Sequence, residues 1–175
     1  MNSPAESIRR ASVVLGTPLV PEDYVILKVM PVGGGCCCLH CWPETWRAVN
    51  LFISPAGPVP HEGYALVGRG TGRYVLEGHE SGPEVVVYLG AVVALLGLAK
   101  GVAELVTTIM KAATEERSHS ARMRIVRRVA IKGEFEEEEI VEVDLPLSED
   151  AAGAMENAIR RSLEERGARR ADTRR

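Results

Sequence analysis

The densest chemistry in the sequence is one short run, Gly33-Gly34-Gly35-Cys36-Cys37-Cys38-Leu39-His40-Cys41-Trp42, which holds all four cysteines. Cys38 and Cys41 have the C-x-x-C spacing that offers two thiolates to a tetrahedral metal ion, and His40 beside them is a third donor. Zinc is the cofactor such a donor set would take. A closed zinc site needs a second pair of ligands, and the chain has no second C-x-x-C and no closely spaced pair of histidines. His61 and His79 together, or a second copy of the chain, would have to complete the shell. The same two cysteines could exchange disulfides if they opened a helix in a βαβ unit, a setting that Trp42-Pro43 fits loosely. Without a ligand or a redox partner, the run is a cysteine-rich turn.

Two other groupings invite a chemical reading. Gly68-Arg69-Gly70-Thr71-Gly72 resembles a phosphate loop in glycine content alone. No Gly-Lys-Ser/Thr follows, and Tyr64–Val67 and Arg73–Leu76 on either side have strand character, so a β-hairpin is expected. Glu136–Glu139 could gather a cation, but a run of charge is more often a solvated face. The chain contains no G-x-S-x-G, no H-E-x-x-H and no dinucleotide fingerprint. No catalytic residue is assigned, and the chain reads as non-enzymatic.

These residues have to be carried by a scaffold, and the sequence organises that scaffold around residues 83–117. Val85 to Ala99 is the longest apolar run, uncharged until Lys100. Pro83 and Glu84 suit the first turn of a helix, through a missing N–H and a charge facing the helix dipole. The expectation is one long central helix, with Val85-Val86-Val87-Tyr88 as an alternative strand leading into a shorter one. From Val102 onward the pattern is amphipathic, with Val102, Leu105, Val106, Ile109 and Met110 on one stripe. The earlier half has no polar face. Gly90, Ala94, Gly97 and Gly101 recur at spacings of four, three and four, which places them on one ridge where a second helix could approach closely. Three glycines in a helix cost roughly 1 kcal/mol each against alanine, which close packing would have to offset.

The flanks add strands and a closing helix. Tyr24–Met30 reads as a buried strand, and Pro43–Ile53 as a short helix with Trp42 and Trp46 capping the core. Residues Arg122–Lys132 and Val141–Leu145 alternate as strands, one basic and one acidic, across Gly133–Glu139. Opposite charges facing one another across a strand pair favour that hairpin and occupy the arginines, which argues against a nucleic-acid surface. Ser148 caps a final amphipathic helix, and Gly167 is its expected end. The fold class is therefore α+β, mainly antiparallel strands and hairpins packed on one long central apolar helix, with a C-terminal amphipathic helix. Residues 1–21 are expected as a flexible arm and 168–175 as a disordered basic tail. Residues 22–167 form a single domain, divided into a strand and hairpin half at 22–80, the central helix at 83–117, and a hairpin plus closing helix at 121–167.

A net charge of −3 creates no general field for nucleic acid or anionic lipid. The start, with Glu6, Arg9 and Arg10 before a short apolar patch, lacks the pattern of a secretory signal, and the clustered cysteines do not form a disulfide framework, so the expected location is cytoplasmic. The leading functional expectation is an interaction or assembly protein that forms a homo-oligomer or docks a partner along Gly90, Ala94, Gly97 and Gly101. One alternative is membrane association through residues 85–110. Fifteen apolar residues rise only about 22 Å against a hydrocarbon core of about 30 Å, and a longer span would bury Lys100 and Glu104. The other alternative is a small zinc protein using the Cys36–Cys41 cluster.

Overall fold

Tyr24-Val25-Ile26-Leu27-Lys28-Val29-Met30-Pro31 forms strand β1, and it is buried because it lies in the middle of the sheet. The computed structural model describes residues 4–33, 41–52, 63–67, 74–79, 82–88, 92–116, 122–132 and 134–173. Along the chain, helix α1 (Pro4–Leu15) and a 3-10 turn (Pro21–Asp23) precede β1. Helix α2 (Pro43–Phe52), strands β2 (Gly63–Val67), β3 (Tyr74–His79) and β4 (Gly82–Tyr88), and helix α3 (Val92–Glu116) follow. Strands β5 (Arg122–Ile131) and β6 (Glu134–Asp144) and helix α4 (Glu149–Thr173) complete the order. The six strands form one sheet, β2-β3-β4-β1-β5-β6, with every neighbouring pair antiparallel.

The α+β class holds, but the central stretch divides. Residues 83–88 are not helix. They lie in β4, paired with β1 through Val85↔Leu27, Val86↔Ile26 and Val87↔Val25, and with β3 on the other side. Three successive β-branched residues favour the extended chain. Val85 and Val87 join the core on the helix side of the sheet, and Val86 joins a second cluster on the outer face. A strand covered on both faces reads as continuous apolar sequence, which is also how a helix apolar all round reads. Glu84 is accordingly a strand residue and faces no helix dipole.

Helix α3 carries the stripe anticipated for it. Val102, Leu105, Val106, Ile109 and Met110 are buried in the main core with Val25, Leu27, Ile125 and Met123 of the sheet. Both tryptophans enter the same core, Trp42 just before α2 and Trp46 within it. Met155, Ile159 and Leu163 bring in α4, and the Thr107 hydroxyl donates to Glu156 Oε1 at 2.9 Å across the α3–α4 contact. Ser148 caps α4 as expected, its hydroxyl accepting from the Ala151 N–H at 3.2 Å. The helix does not stop at Gly167. It runs to Thr173, so residues 168–173 are helical rather than a disordered tail. A glycine within a helix is a local cost of roughly 1 kcal/mol, not a terminator.

The N-terminal segment is also more ordered than a flexible arm. Ala11, Leu15 and Leu19 bury against Tyr24, Ile26, Val75 and Val86 on the outer face, with Ile8 and Val14 partly buried beside them. Gly16 ends α1 with φ +64, and its N–H donates to Val13 O at 3.2 Å, while Thr17 N–H donates to Ser12 O at 3.1 Å. A left-handed residue closing the last turn is glycine's usual place at a helix end. Glu6 holds the first turns by accepting from Arg9 Nη2 at 2.8 Å and Arg10 Nε at 2.6 Å. Those hydrogen bonds depress its carboxyl from 4.5 to about 2. A depressed carboxyl pKa contributes stability above its unfolded value and loses it as pH falls through the folded one. Faster amide exchange at Gly16 and Leu19 is therefore expected as pH falls from about 4.5 toward 2, after correction for the intrinsic exchange rate. Exchange that stays flat across that window would mean that Glu6 does not hold α1.

Candidate functional site

Of the ridge anticipated on the central helix, Gly90 lies outside the described residues. Ala94 and Gly97 fall within α3, and Gly101 is buried. Its neighbours Ala99, Val102 and Ala103 are buried in the chain's own core, and α2 and α4 pack against α3. The second half of α3 is thus a core helix. No helix among the described residues is long and apolar enough to cross a membrane. Of the candidate zinc ligands, Cys38 and His40 lie outside the described residues, as do Cys36, Cys37 and His61. Cys41 is exposed and free. Among the described residues, no three His, Cys, Asp or Glu side chains are gathered to hold a metal ion.

The polar side chains that the fold does assemble lie on the sheet. On its outer face, Lys28 of β1 stands opposite Glu84 of β4, with Nζ 3.3 Å from Oε1 and both side chains under 10% exposed, at 9% and 8%. Arg128 of β5 approaches the same carboxylate at 3.6 Å and donates through Nε to Glu137 of β6 at 2.8 Å. Its guanidinium lies 5.5 Å from the ring centre of Phe135, within cation–π range. Four charges therefore cross the sheet from β4 to β6, with Lys28 and Arg128 on the two inner strands sharing Glu84 and Glu137 closing the row. They arise from register: Ile26↔Arg128 and Arg128↔Glu137 put the arginine beside the strand that carries Lys28 and opposite the strand that carries the acids.

The rest of the charged hairpin follows the same logic. Arg122 Nε donates to Asp144 Oδ1 at 2.9 Å. That bond, with the fields of Asp144 and Glu142, holds the exposed guanidinium above its ordinary pKa. On the helix side, Arg127 is buried. It donates to the Ser162 carbonyl of α4 at 2.8 Å and pairs with Glu138. Beside it a cleft of about 150 Å³ is lined by Arg127, Val129, Ile131, Glu136, Glu138 and Arg166. Its two arginines and two glutamates balance in charge.

The acid run is not a loop between strands. It belongs to β6, which continues to Asp144 through a register shift near Ile125 and Val126, while Lys132, at φ 51, makes the turn. Within the run only the middle two glutamates face a cation. Glu137 and Glu138 stand opposite Arg128 and Arg127, whereas Glu136 and Glu139 stand opposite Val129 and Val126. No cation among the described residues lies within ion-pair distance of those two, and both are exposed. β6 is also the last strand of the sheet, paired on one side only among the described residues.

The chain matches no family model, no curated protein and no solved structure. The Lys28–Glu84 pair is invisible to sequence reasoning once Glu84 is read as a helix residue. The available signal is Lys28 itself, a lone charge in a strand otherwise fit to be buried on both faces.

Proposed function

We propose that this is a non-enzymatic interaction protein that docks a partner along the open edge of β6 rather than along a glycine-notched face of α3. The position of β6 carries the reading: eleven residues at the end of the sheet, with α4 packed on one of its faces and its outer edge unpaired among the described residues. A strand in that position presents a row of backbone donors and acceptors that another chain can pair with. The Lys28–Glu84–Arg128–Glu137 network supports it indirectly. It fixes the registers of β4, β1, β5 and β6 relative to one another, so the edge is held on a rigid frame. A photo-crosslinking residue at Glu139 tests the reading against one at Lys111, which is exposed on α3. In the native host the β6 position should give a discrete heavier adduct and the α3 position none. Adducts from Lys111 alone would return the interface to α3.

A further inference from the structure

From the edge of β6 we infer the class of partner: an extended, positively charged polypeptide segment that joins the sheet as a seventh strand. This rests on the docking reading above and narrows it. The glutamates alone would not make a site, since a charged edge is also how proteins discourage unwanted strand pairing. What makes it a docking surface is the open backbone, and the charges select the occupant. A second copy of β6 is a poor fit. In an antiparallel pair centred on the acid run, Glu136 meets Glu139 and Glu137 meets Glu138, and a shift to a centre at Ile140 sets Glu138 against Glu142 and Glu136 against Asp144. Like charges directly opposite destabilise a strand pair.

A cationic segment meets the reverse situation. Glu136 and Glu139 have no arginine opposite them on β5, and they point to different faces of the sheet, Glu136 with Val129 on the helix side and Glu139 with Val126 on the outer side. An added strand would offer lysine or arginine to one carboxylate on each face while its main chain pairs with β6. The two contributions differ in kind: main-chain bonds supply affinity for any extended segment, and the carboxylates discriminate by charge.

The full chain can be titrated with fluorescent synthetic peptides followed by anisotropy. The probes are Lys-Val-Lys-Val-Lys-Val-Lys, the same sequence with alternate backbone nitrogens methylated, and its aspartate counterpart. Binding of the first is expected, with none of the aspartate peptide and loss of at least about tenfold on methylation, which keeps the charge and removes donors. Replacing Glu136 and Glu139 by glutamine, both exposed and outside any ion pair among the described residues, should weaken binding by about tenfold without changing the circular dichroism. Equal binding of the methylated peptide overturns strand addition, equal binding of the aspartate peptide overturns the charge selection, and a dimer in light scattering that crosslinks through β6 names a second copy instead. If no peptide binds while Glu139 still crosslinks to a partner, the partner class is wrong and docking at β6 stands. If both fail, both fall.

Discussion

The Glu84→Ala variant should unfold in urea with about 3–5 kcal/mol less stability than the parent chain, the usual cost of leaving one member of a buried ion pair alone. Lys28 is the residue left behind. Its ammonium lies 3.3 Å from the Glu84 carboxylate, and its side chain is 9% exposed, so water cannot easily replace the lost partner. At an effective dielectric of about 20 the pair's attraction is roughly 5 kcal/mol, most of it offset in the intact protein by desolvation of the two charges. Arg128 is less affected, because Glu137 still accepts from its Nε. Lys28→Met should therefore cost less than Glu84→Ala: it leaves Glu84 with Arg128 at 3.6 Å. The double variant Lys28→Met/Glu84→Leu removes both charges and should return to within about 1 kcal/mol of the parent. If Glu84→Ala alone costs under 1 kcal/mol, the pair is solvated and the registers of β4 and β1 are held by valines alone.

Several elements are legible in the amino-acid sequence, each where one strong local signal stands alone. β1 is a β-branched run closed by Pro31 and a glycine turn. The start of α4 is a serine cap followed by acids. The charged hairpin announces itself by opposite signs on two alternating stretches, and Arg122 pairs with Asp144 as that pattern requires, whereas Arg127 and Arg128 find their partners, Glu138 and Glu137, in the acid run that the pattern left between the strands. What misleads is two-sided burial. Val85–Val87 is apolar on both faces because α1 covers Val86 while α3 covers Val85 and Val87, and apart from the β-branched side chains nothing within the run distinguishes that arrangement from a helix in a greasy setting. The same blindness hides α1: an amphipathic helix looks like a loose arm when the sheet face that it covers is read as something else.

The site is less legible than the fold for a related reason. A glycine and alanine ridge in a helix has the same sequence whether the close neighbour is a partner or the chain itself, and Gly101 is buried within the chain's own fold. The acid run gives the opposite error. Four successive glutamates look unfit for a strand, since β propensity disfavours them, but at a sheet edge each side chain finds water or an arginine and the propensity penalty is small. Position in the sheet decides what the run can do, and position is a property of topology that the local sequence does not carry.

Truncation of the α3 stripe is the second large effect, and it separates a core helix from an assembly surface. Leu105→Ala and Ile109→Ala should each cost about 2–5 kcal/mol, the transfer term for the lost methyl groups plus the cavity that packed neighbours leave open. Both side chains are fully enclosed, against the sheet on one side and within a core that also holds Met155 and Ile159 of α4. Lys111→Ala, on the exposed side of the same helix, should change stability by no more than about 0.5 kcal/mol. If the stripe instead served a second copy, the two truncations would lower the mass seen in light scattering and leave the monomer's unfolding midpoint close to the parent's. A loss of stability at constant mass assigns those turns to the molecule's interior, which takes the stripe from Val102 to Met110 out of any interaction surface.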